Sequence, residues 1–204
     1  MRIVLIGCVE FSKRTLEKLI SLGANIVGVV TRLAPGINSD FADLSILCRD
    51  AGIPCKYVED INSTESINWI ASRDPEIIFC FGWSALLKKQ VLTLAPRGVL
   101  GYHPALLPRN RGRHPLIWTL ALGLKESGST FFFMDEGADH GDILSQFVVP
   151  VYDNDDARSV YDRITETGLA QIELFLPKLI ANSHTRSRQD DSIANVWRRR
   201  TPLD

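Results

Sequence analysis

The sequence predicts an α/β fold built on a doubly wound, mostly parallel sheet with helices on both faces. Two observations lead to this prediction. Continuous apolar runs within the predicted strands 2–7 and 76–81 suit parallel strands that are buried on both sides. Between these runs, strand-like and helix-like segments alternate, and right-handed crossovers between parallel strands then place helices on each face of the sheet.

Each element is predicted from its apolar spacing and its ends. Ser12 is the expected N-cap of a first helix that ends at Gly23. Asn62, with Glu65 following at capping-box spacing, opens another helix that reaches about residue 72. The expected strands are 2–7, 25–31, 56–58, 76–81, 99–103, 130–134 and 143–149, and the other helices are 41–49, 114–124 and a long one from the charged segment 153–156 to about residue 180.

The length of 204 residues suits one main domain, residues 1–182, followed by a C-terminal extension, residues 183–204. We expect the extension to pack on that domain or to trail from it. The net charge of −1 gives no general attraction to nucleic acid or to an anionic membrane. Residues 1–6 have the pattern of a strand and not of a cleavable signal, and no apolar run approaches the ~18 residues that a membrane span needs.

The four cysteines, Cys8, Cys48, Cys55 and Cys80, are scattered, and three of them lie in apolar surroundings. No pair has the spacing of metal ligands, so we expect no metal site. We interpret the four as reduced core thiols of a cytoplasmic protein. The first turn, G-C-V-E-F-S at residues 7–12, lacks the G-x-G-x-x-G pattern, so no nicotinamide or flavin cofactor is predicted.

A histidine stands at the carboxyl end of one predicted strand. His103 closes the strand Val99–His103, which Pro104 ends. Parallel α/β sheets open their clefts at this end of the strands, and an imidazole exchanges protons near neutral pH. From position alone, two interpretations stay open: a proton-transfer residue, or a residue that caps the strand by hydrogen-bonding to backbone.

A second polar segment, G-A-D-H-G-D-I, occupies residues 137–143. Gly137 and Gly141 frame Asp139, and glycines around one acid indicate a backbone that is bent to aim the carboxylate or to approach a ligand closely. The alternative is a polar turn between two strands. Taken alone, the segment favours that turn.

The two segments together resemble the formyltransferase family that uses 10-formyltetrahydrofolate. H-P-A-L-L-P-x-x-R-G followed by a helix, and then M-D-E-G-A-D-x-G-D-I-L, carry the resemblance, which is specific over residues 77–146 and weaker but continuous from Met1. The family includes methionyl-tRNA, glycinamide ribonucleotide and sugar-amine formyltransferases. The run R-G-R-H-P-L-I-W is most like the sugar-nucleotide branch. The resemblance implies a Rossmann-like fold.

The family's catalytic trio is Asn, His and Asp, with the first two spaced Asn-x-His. By this resemblance, His103 and Asp139 match the His and the Asp, whereas Gly101 occupies the Asn position. Losing such an oxyanion donor typically costs about a hundredfold or more in rate. Asn110, His114 pointing inward from its helix start, a water or a backbone N–H could replace the donor. Weak or lost activity is a further alternative.

The resemblance also implies where folate binds. In the family, the loop after the fourth strand and the backbone near the catalytic Asp hold the pterin ring, and apolar side chains offer walls to such a flat heteroaromatic group. For Trp83, the alternative is ordinary core packing. The predicted folate-binding residues are Phe81, Gly82, Trp83, Leu86, Leu87, Asp135, Gly137, Asp139 and His140.

The acceptor is expected to contact a basic loop and a second, polar loop. Arg109, Arg111 and Arg113 suit phosphate or carboxylate, because the guanidinium fork binds oxyanions with two hydrogen bonds. A nucleotide-linked substrate would supply phosphates, although any one of these arginines could be a solvated side chain. Asn38 and Ser39, in the loop after the second strand, are further candidate contacts.

We therefore expect an N-formyltransferase that moves a formyl group from 10-formyltetrahydrofolate to the amine of a nucleotide-linked amino sugar, for surface glycan biosynthesis. A chain of this length has no room for the C-terminal barrel of methionyl-tRNA formyltransferases, which counts against a tRNA acceptor. The alternatives are transfer to another small amine, hydrolysis of formyltetrahydrofolate, or an inactive homologue that binds folate or a nucleotide. The oligomeric state, with a homodimer among the options, stays open.

Overall fold

The computed structural model describes residues 1–34 and 39–201, and the chain in it forms two compact units, 1–101 and 102–204. The strands of the first unit are β1 (Ile3–Ile6), β2 (Ile26–Thr31), β3 (Cys55–Tyr57), β4 (Ile77–Cys80) and the first three residues of β5 (Val99–His103). Its helices are α1 (Glu10–Ser21), α2 (Ser45–Asp50), α3 (Thr64–Ala71) and α4 (Lys89–Leu92).

The first unit contains a parallel sheet in the order β3-β2-β1-β4-β5. The chain moves outward from β1 to β3 and then returns to β4 on the other side of β1. Because crossovers between parallel strands are right-handed, this reversal puts the connecting helices on both faces. All four side chains of β1 are fully buried, as expected for a central strand. The predicted doubly wound α/β fold is confirmed.

The second unit contains the end of β5 and an antiparallel pair, β7 (Glu126–Phe133) with β8 (Ile143–Pro150). A hydrophobic cluster of this unit consists of Val149, Val151, Val160 and Ile164, with Tyr102, Leu116 and Leu120 packed against it. The remaining elements are β6 (Arg111–Gly112), α5 (Pro115–Ala121), α6 (Ala157–Ile180) and β9 (Val196–Trp197), and β6 pairs with β9 in a short parallel ladder.

The predicted start of the first helix is wrong by several residues. Val9, and not Ser12, is the N-cap of α1. The Ser12 hydroxyl accepts the Val9 N–H at 3.2 Å and donates to the Phe81 carbonyl oxygen at 2.6 Å. The serine therefore lies inside the helix, where it ties the first turn to the chain just after β4.

Two other predicted helices begin later than expected, whereas α1 begins earlier. Ser63 caps α3 through a 3.2 Å bond from the Ser66 N–H, so Asn62 is not the cap. Helix α2 begins only at Ser45, because Phe41 pairs in an isolated bridge with Val9 instead of joining the helix. In both cases the apolar and polar pattern located the helix but not its first turn.

The four cysteines are free thiols, and Cys8, Cys48 and Cys80 are buried as predicted. Burial raises the pKa of Cys80 to about 12. Across residues 1–34 and 39–201, no helix combines the length and the apolar character that crossing a bilayer requires. The same residues contain no cluster of histidine, cysteine or acidic side chains that could hold a metal ion.

Candidate active site

His103 is a buried histidine whose ring orientation is set by one hydrogen bond. The residue is 5% exposed at the end of β5, and its Nε2 lies 2.7 Å from the backbone carbonyl oxygen of Asn110. A carbonyl oxygen only accepts, so Nε2 must carry the hydrogen and donate it. In the neutral ring, the basic lone pair is therefore on Nδ1.

Asp139 faces that basic nitrogen. Its Oδ2 lies 3.6 Å from His103 Nδ1, beyond a direct hydrogen bond but well within the range of electrostatic attraction. The same oxygen accepts the Gly112 N–H at 2.9 Å, which holds the carboxylate in place. The carboxylate of Asp139 therefore faces the ring nitrogen that carries the lone pair in the neutral imidazole.

At the position that the resemblance matches to the family's asparagine, the chain has a glycine, which offers no side-chain donor. Gly101 is buried on β5 and pairs with Cys80 across the parallel ladder. Because side chains alternate along a strand, residue 101 shares a face with His103. Any oxyanion donor must therefore come from elsewhere.

Asn110 and His114, the two candidate replacements, differ in their surroundings. The Asn110 side-chain oxygen accepts a 3.3 Å bond from Asn195, while its amide nitrogen has no partner in the part of the chain that the structure describes. His114 is the N-cap of α5 in a left-handed conformation, with φ +57°. Its ring is exposed and bonds to no described residue, so the expectation that it points inward is wrong.

A charged cluster adjoins the Asp139 segment. His140 Nδ1 lies 2.6 Å from Asp135 Oδ2, and its Nε2 lies 3.3 Å from Asp191 Oδ2. These two carboxylates, Asp135 foremost, raise the pKa of His140. Two hydrogen bonds lower the pKa of Asp191, with the larger effect from Arg111 and the smaller one from His140. His140 is thus favoured in its charged form between two carboxylates.

Gln189 supports the backbone on both sides of His140. Its buried amide nitrogen donates to the carbonyl oxygens of Asp139 at 2.9 Å and of Gly141 at 2.8 Å. Its oxygen accepts two bonds from Arg111, at 3.1 and 2.7 Å. The buried Arg111 guanidinium also bonds to Asp191 at 2.9 Å. Arg111 is therefore neutralised inside the molecule and, contrary to the prediction, is not available to a phosphate.

The two glycines that frame Asp139 allow close approach between segments. A Cβ at Gly141 would lie 1.8 Å from the carbonyl oxygen of Phe133, and one at Gly137 would lie 2.8 Å from the Cβ of His140. Asp139 itself has a left-handed φ of +53°. The bent backbone that the sequence indicated is present, and it is combined with the polar turn between β7 and β8.

The predicted pterin loop lies in the first unit. Phe81 and Leu87 are buried, whereas Leu86 is exposed. The Trp83 ring lies under the Arg32 guanidinium, whose carbon is 4.6 Å from the ring centroid. The buried indole N–H of Trp83 has no acceptor within the described residues. Such an unsatisfied donor is uncommon in a folded core, and it is suited to an acceptor atom of a ligand.

The backbone of this loop is held by two local features. Gly82 has φ +71°, and a Cβ there would lie 2.1 Å from a methyl group of Val9. The side chain of Asn62 donates to the Leu86 carbonyl oxygen at 2.9 Å and accepts the Lys88 N–H at 2.7 Å. This bridging role explains why Asn62 is not the cap of α3.

The other residues predicted to contact the acceptor are exposed or lie outside the described residues. Arg109 and Arg113 are exposed, and neither guanidinium pairs with a residue in the described ranges. Ser39 is exposed as well, and Asn38 lies outside the described residues.

Sequence reasoning missed three residues that contact the site, Gln189, Asp191 and Asn195. All three come from the segment predicted as a polar extension. Its isolated amides and acids have no period and no motif that indicates their partners. The described part of this segment forms a bridge from Ser187 to Ile143 and the ladder between β9 and β6.

Comparison with known proteins identifies related sequences and folds. Methionyl-tRNA formyltransferase of Geobacter sulfurreducens is 32% identical over 197 residues, which cover 95% of this chain and 62% of that protein. The enzyme of Caldanaerobacter subterraneus is 30% identical, with 95% and 64% covered. The chain thus spans less than two thirds of the length of these relatives.

The fold is shared with solved formyltransferase structures. A crystal structure of WlaRD, a sugar 3N-formyl transferase, in the presence of dTDP and 5-N-formyl-THF has a TM-score of 0.76 at 22% identity and covers 97% of this chain and 69% of its own. Phosphoribosylglycinamide formyltransferase from Bacillus halodurans has a TM-score of 0.77 at 18% identity, with 90% and 97% covered. The family model described as formyl transferase matches residues 1–174, and on this evidence the chain belongs to the formyl transferase family.

Proposed function

We propose that the chain transfers a formyl group from 10-formyltetrahydrofolate to the amine of a nucleotide-linked amino sugar. The observation that carries this proposal is the His103–Asp139 pair, in which the basic Nδ1 stands 3.6 Å from a carboxylate. A protein that only binds folate or a nucleotide has no need of a buried imidazole with a defined tautomer beside a carboxylate. Family membership supports the reaction class.

10-Formyltetrahydrofolate supplies an activated formyl carbon to which an amine can add. His103 Nδ1 takes the proton that the attacking nitrogen loses, and the ring then carries a positive charge next to Asp139. The hydrogen bond from Nε2 to the Asn110 carbonyl oxygen keeps the ring from turning while the proton is held. The same Nδ1–H can then return the proton to the leaving nitrogen.

A developing oxyanion needs a donor that Gly101 does not supply. The side-chain amide nitrogen of Asn110 is our proposed donor. It has no partner in the described chain, and the backbone carbonyl oxygen of the same residue contacts His103. The protonated His103 Nδ1 adds a second donor once it has taken the proton. The exposed His114 is a weaker candidate than Asn110.

One structural observation supports folate binding at the predicted pterin loop. The buried indole N–H of Trp83 has no acceptor in the described residues, and a pterin carries ring nitrogens and a carbonyl oxygen that accept. The exposed Arg109 and Arg113 keep their guanidinium groups available for the phosphates of a nucleotide. The indole N–H thus supports folate as the formyl donor, and the two arginines support a nucleotide-linked acceptor.

A second acceptor, methionyl-tRNA, is favoured by the 30–32% identity to methionyl-tRNA formyltransferases. A cytoplasmic location stays a prediction, and the oligomeric state, with a homodimer among the options, stays open. The deciding experiment incubates the chain with 10-formyltetrahydrofolate and, in separate reactions, dTDP-linked amino sugars, other small amines or methionyl-tRNA. Tetrahydrofolate release is followed together with the mass of the acceptor.

We expect a sugar-nucleotide amine to gain one formyl group and the His103→Ala variant to lose this activity. Formylated methionyl-tRNA without formylated sugar would establish the second acceptor instead. Formate release without any amine would indicate a hydrolase. Binding of 5-formyltetrahydrofolate in a calorimeter, without turnover of any acceptor, would refute the transferase.

A further inference from the structure

We infer that Asn195 is a positioning residue for His103 and acts on it through Asn110. The inference rests on the proposed function, because it assigns a role in the chemistry of that site. It concerns a residue of the C-terminal segment, for which the sequence predicted no part in catalysis.

Asn195 holds Asn110 from two sides. Its side-chain oxygen accepts the Asn110 N–H at 2.9 Å, and its side-chain nitrogen donates to the Asn110 side-chain oxygen at 3.3 Å. Its backbone oxygen also accepts the Arg111 N–H at 3.1 Å. One asparagine therefore fixes both the backbone and the amide plane of Asn110.

Asn110 needs such support because of its own conformation. Its φ is +63°, in the left-handed region that residues with side chains seldom occupy, although asparagine tolerates it better than most. Among the described residues, its hydrogen bonds go only to His103 and Asn195. Without the Asn195 side chain, the Arg111 N–H bond to the Asn195 backbone oxygen still holds one side of the peptide group that carries the Asn110 carbonyl, but the N–H and the side-chain amide of Asn110 are no longer fixed.

That carbonyl decides which imidazole nitrogen is basic. Because it accepts from Nε2–H of His103 at 2.7 Å, the lone pair of the neutral ring faces Asp139. If the carbonyl turns away, the tautomer with hydrogen on Nδ1 becomes accessible, and the nitrogen beside the carboxylate can no longer take a proton. Asn195 thus maintains the productive tautomer without contacting the substrate.

The exposure of Asn195 makes the inference testable without unfolding the protein. Asn195→Ala removes the two side-chain bonds but leaves the backbone bond to Arg111 and the ladder of β9 with β6. Asn195→Asp keeps an oxygen that can accept the Asn110 N–H. Asn68→Ala is the matched control, since Asn68 is an exposed helical asparagine whose side chain bonds to no described residue.

Two readouts are measured on the full chain. The first is kcat and KM for the formyl donor and for the acceptor, as a function of pH. The second is the ¹⁵N chemical shifts of the His103 ring, which distinguish hydrogen on Nε2 from hydrogen on Nδ1 and require no turnover. A tautomer error or a small displacement of a catalytic group lowers the rate by at least about tenfold.

We expect Asn195→Ala to lower kcat by at least about tenfold with little change in either KM. Its His103 ring should show a mixture of tautomers, Asn195→Asp should recover part of kcat, and Asn68→Ala should match the wild type. A kcat within about twofold of wild type, together with unchanged ring shifts in Asn195→Ala, overturns the inference. If no acceptor is turned over by the wild type, the proposed function fails while the ring shifts still decide whether Asn195 sets the tautomer.

Discussion

Replacing Asp139 by asparagine tests the electrostatic part of the proposed mechanism. The variant removes the negative charge that faces His103. It keeps a side-chain oxygen that can accept the Gly112 N–H, whose nitrogen lies 2.9 Å from Asp139 Oδ2 in the wild type. The left-handed φ of +53° is tolerated by asparagine as well as by aspartate. The loop should therefore keep its shape, and the change in rate reports on the charge.

The size of the effect follows from the distance between the two groups. When His103 holds the proton, its Nδ1 stands 3.6 Å from Asp139 Oδ2. At this separation two unit charges attract by about 4–5 kcal/mol at an effective dielectric constant of about 20. The Asp139 side chain is 21% exposed, and solvent screens part of the attraction, so we expect a loss of roughly 2–3 kcal/mol. That loss lowers kcat by a factor between about 30 and about 150.

The assay compares three proteins at saturating donor and acceptor. Tetrahydrofolate release measures kcat for the wild type, for Asp139→Asn and for the control Asp162→Asn. Asp162 lies on α6, where it forms an exposed 3.0 Å ion pair with Arg158. The control thus removes the same charge from the same unit, and we expect its kcat to stay within about twofold of wild type. Thermal melting confirms that both variants are folded.

A kcat of Asp139→Asn within about threefold of wild type would refute this reasoning. It would mean that the carboxylate does not stabilise a protonated His103 in the transition state, and the proposed division of roles would have to be abandoned. An equal loss of kcat in the Asp162→Asn control would refute it as well, because the effect would then not be specific to the site.

Gly141→Ala places a Cβ 1.8 Å from the Phe133 carbonyl oxygen, so we expect little folded protein, whereas Gly123→Ala has open space at φ +62° and should cost only about 1–2 kcal/mol; thermal melting compares the two. The raised pKa of His140 means that its ion pairs stabilise the fold fully below the ordinary histidine pKa of about 6.5. They lose this effect as pH rises through the raised pKa. The Tm of the wild type should therefore fall by a few degrees at higher pH, whereas the Tm of His140→Gln should not. Gly101→Asn restores an amide donor at the family's position and should raise kcat by up to about tenfold over Gly101→Ala; equal rates in the two variants would show that another group already supplies the donor.

The sheet and the long helix could be predicted because their signals are local. An uninterrupted apolar run indicates a buried strand wherever it occurs, and β1 confirms this. The end of the charged segment 153–156 predicted the start of α6, whose N-cap Asp156 accepts the Ser159 N–H at 2.8 Å. Both signals lie within a few residues of the structure that they specify.

The first turns of α1 and α3 could not be predicted in this way. Ser12 and Asn62 are good capping residues, but their side chains bond to chain segments far away in sequence, Ser12 to Phe81 and Asn62 to Leu86. A side chain with several possible partners takes the one that tertiary contacts place within reach, and a single sequence does not contain that distance.

The candidate site divides along the same line. His103 and Asp139 stand out because their motifs are short and continuous. Gln189 and Asn195 do not, because their partners lie 50 and 85 residues away along the chain and a polar segment has no period to indicate a packed face. Arg111 shows the converse error: a basic loop suggests phosphate, but this arginine is buried against Gln189.

In the proposed mechanism, the glycine at position 101 raises the demands on His103 and Asp139. Without the asparagine donor, the transition-state charge must be stabilised by the His103–Asp139 pair together with the proposed donor Asn110, and electrostatic stabilisation of this kind depends on groups that are already in place before the reaction. The structure fixes each member separately. The Asn110 carbonyl orients His103, while the Gly112 N–H and the Gln189 amide hold Asp139 by its side chain and its backbone. Both sets of contacts depend on the C-terminal segment, so loss of those contacts should reduce catalysis more than it reduces stability.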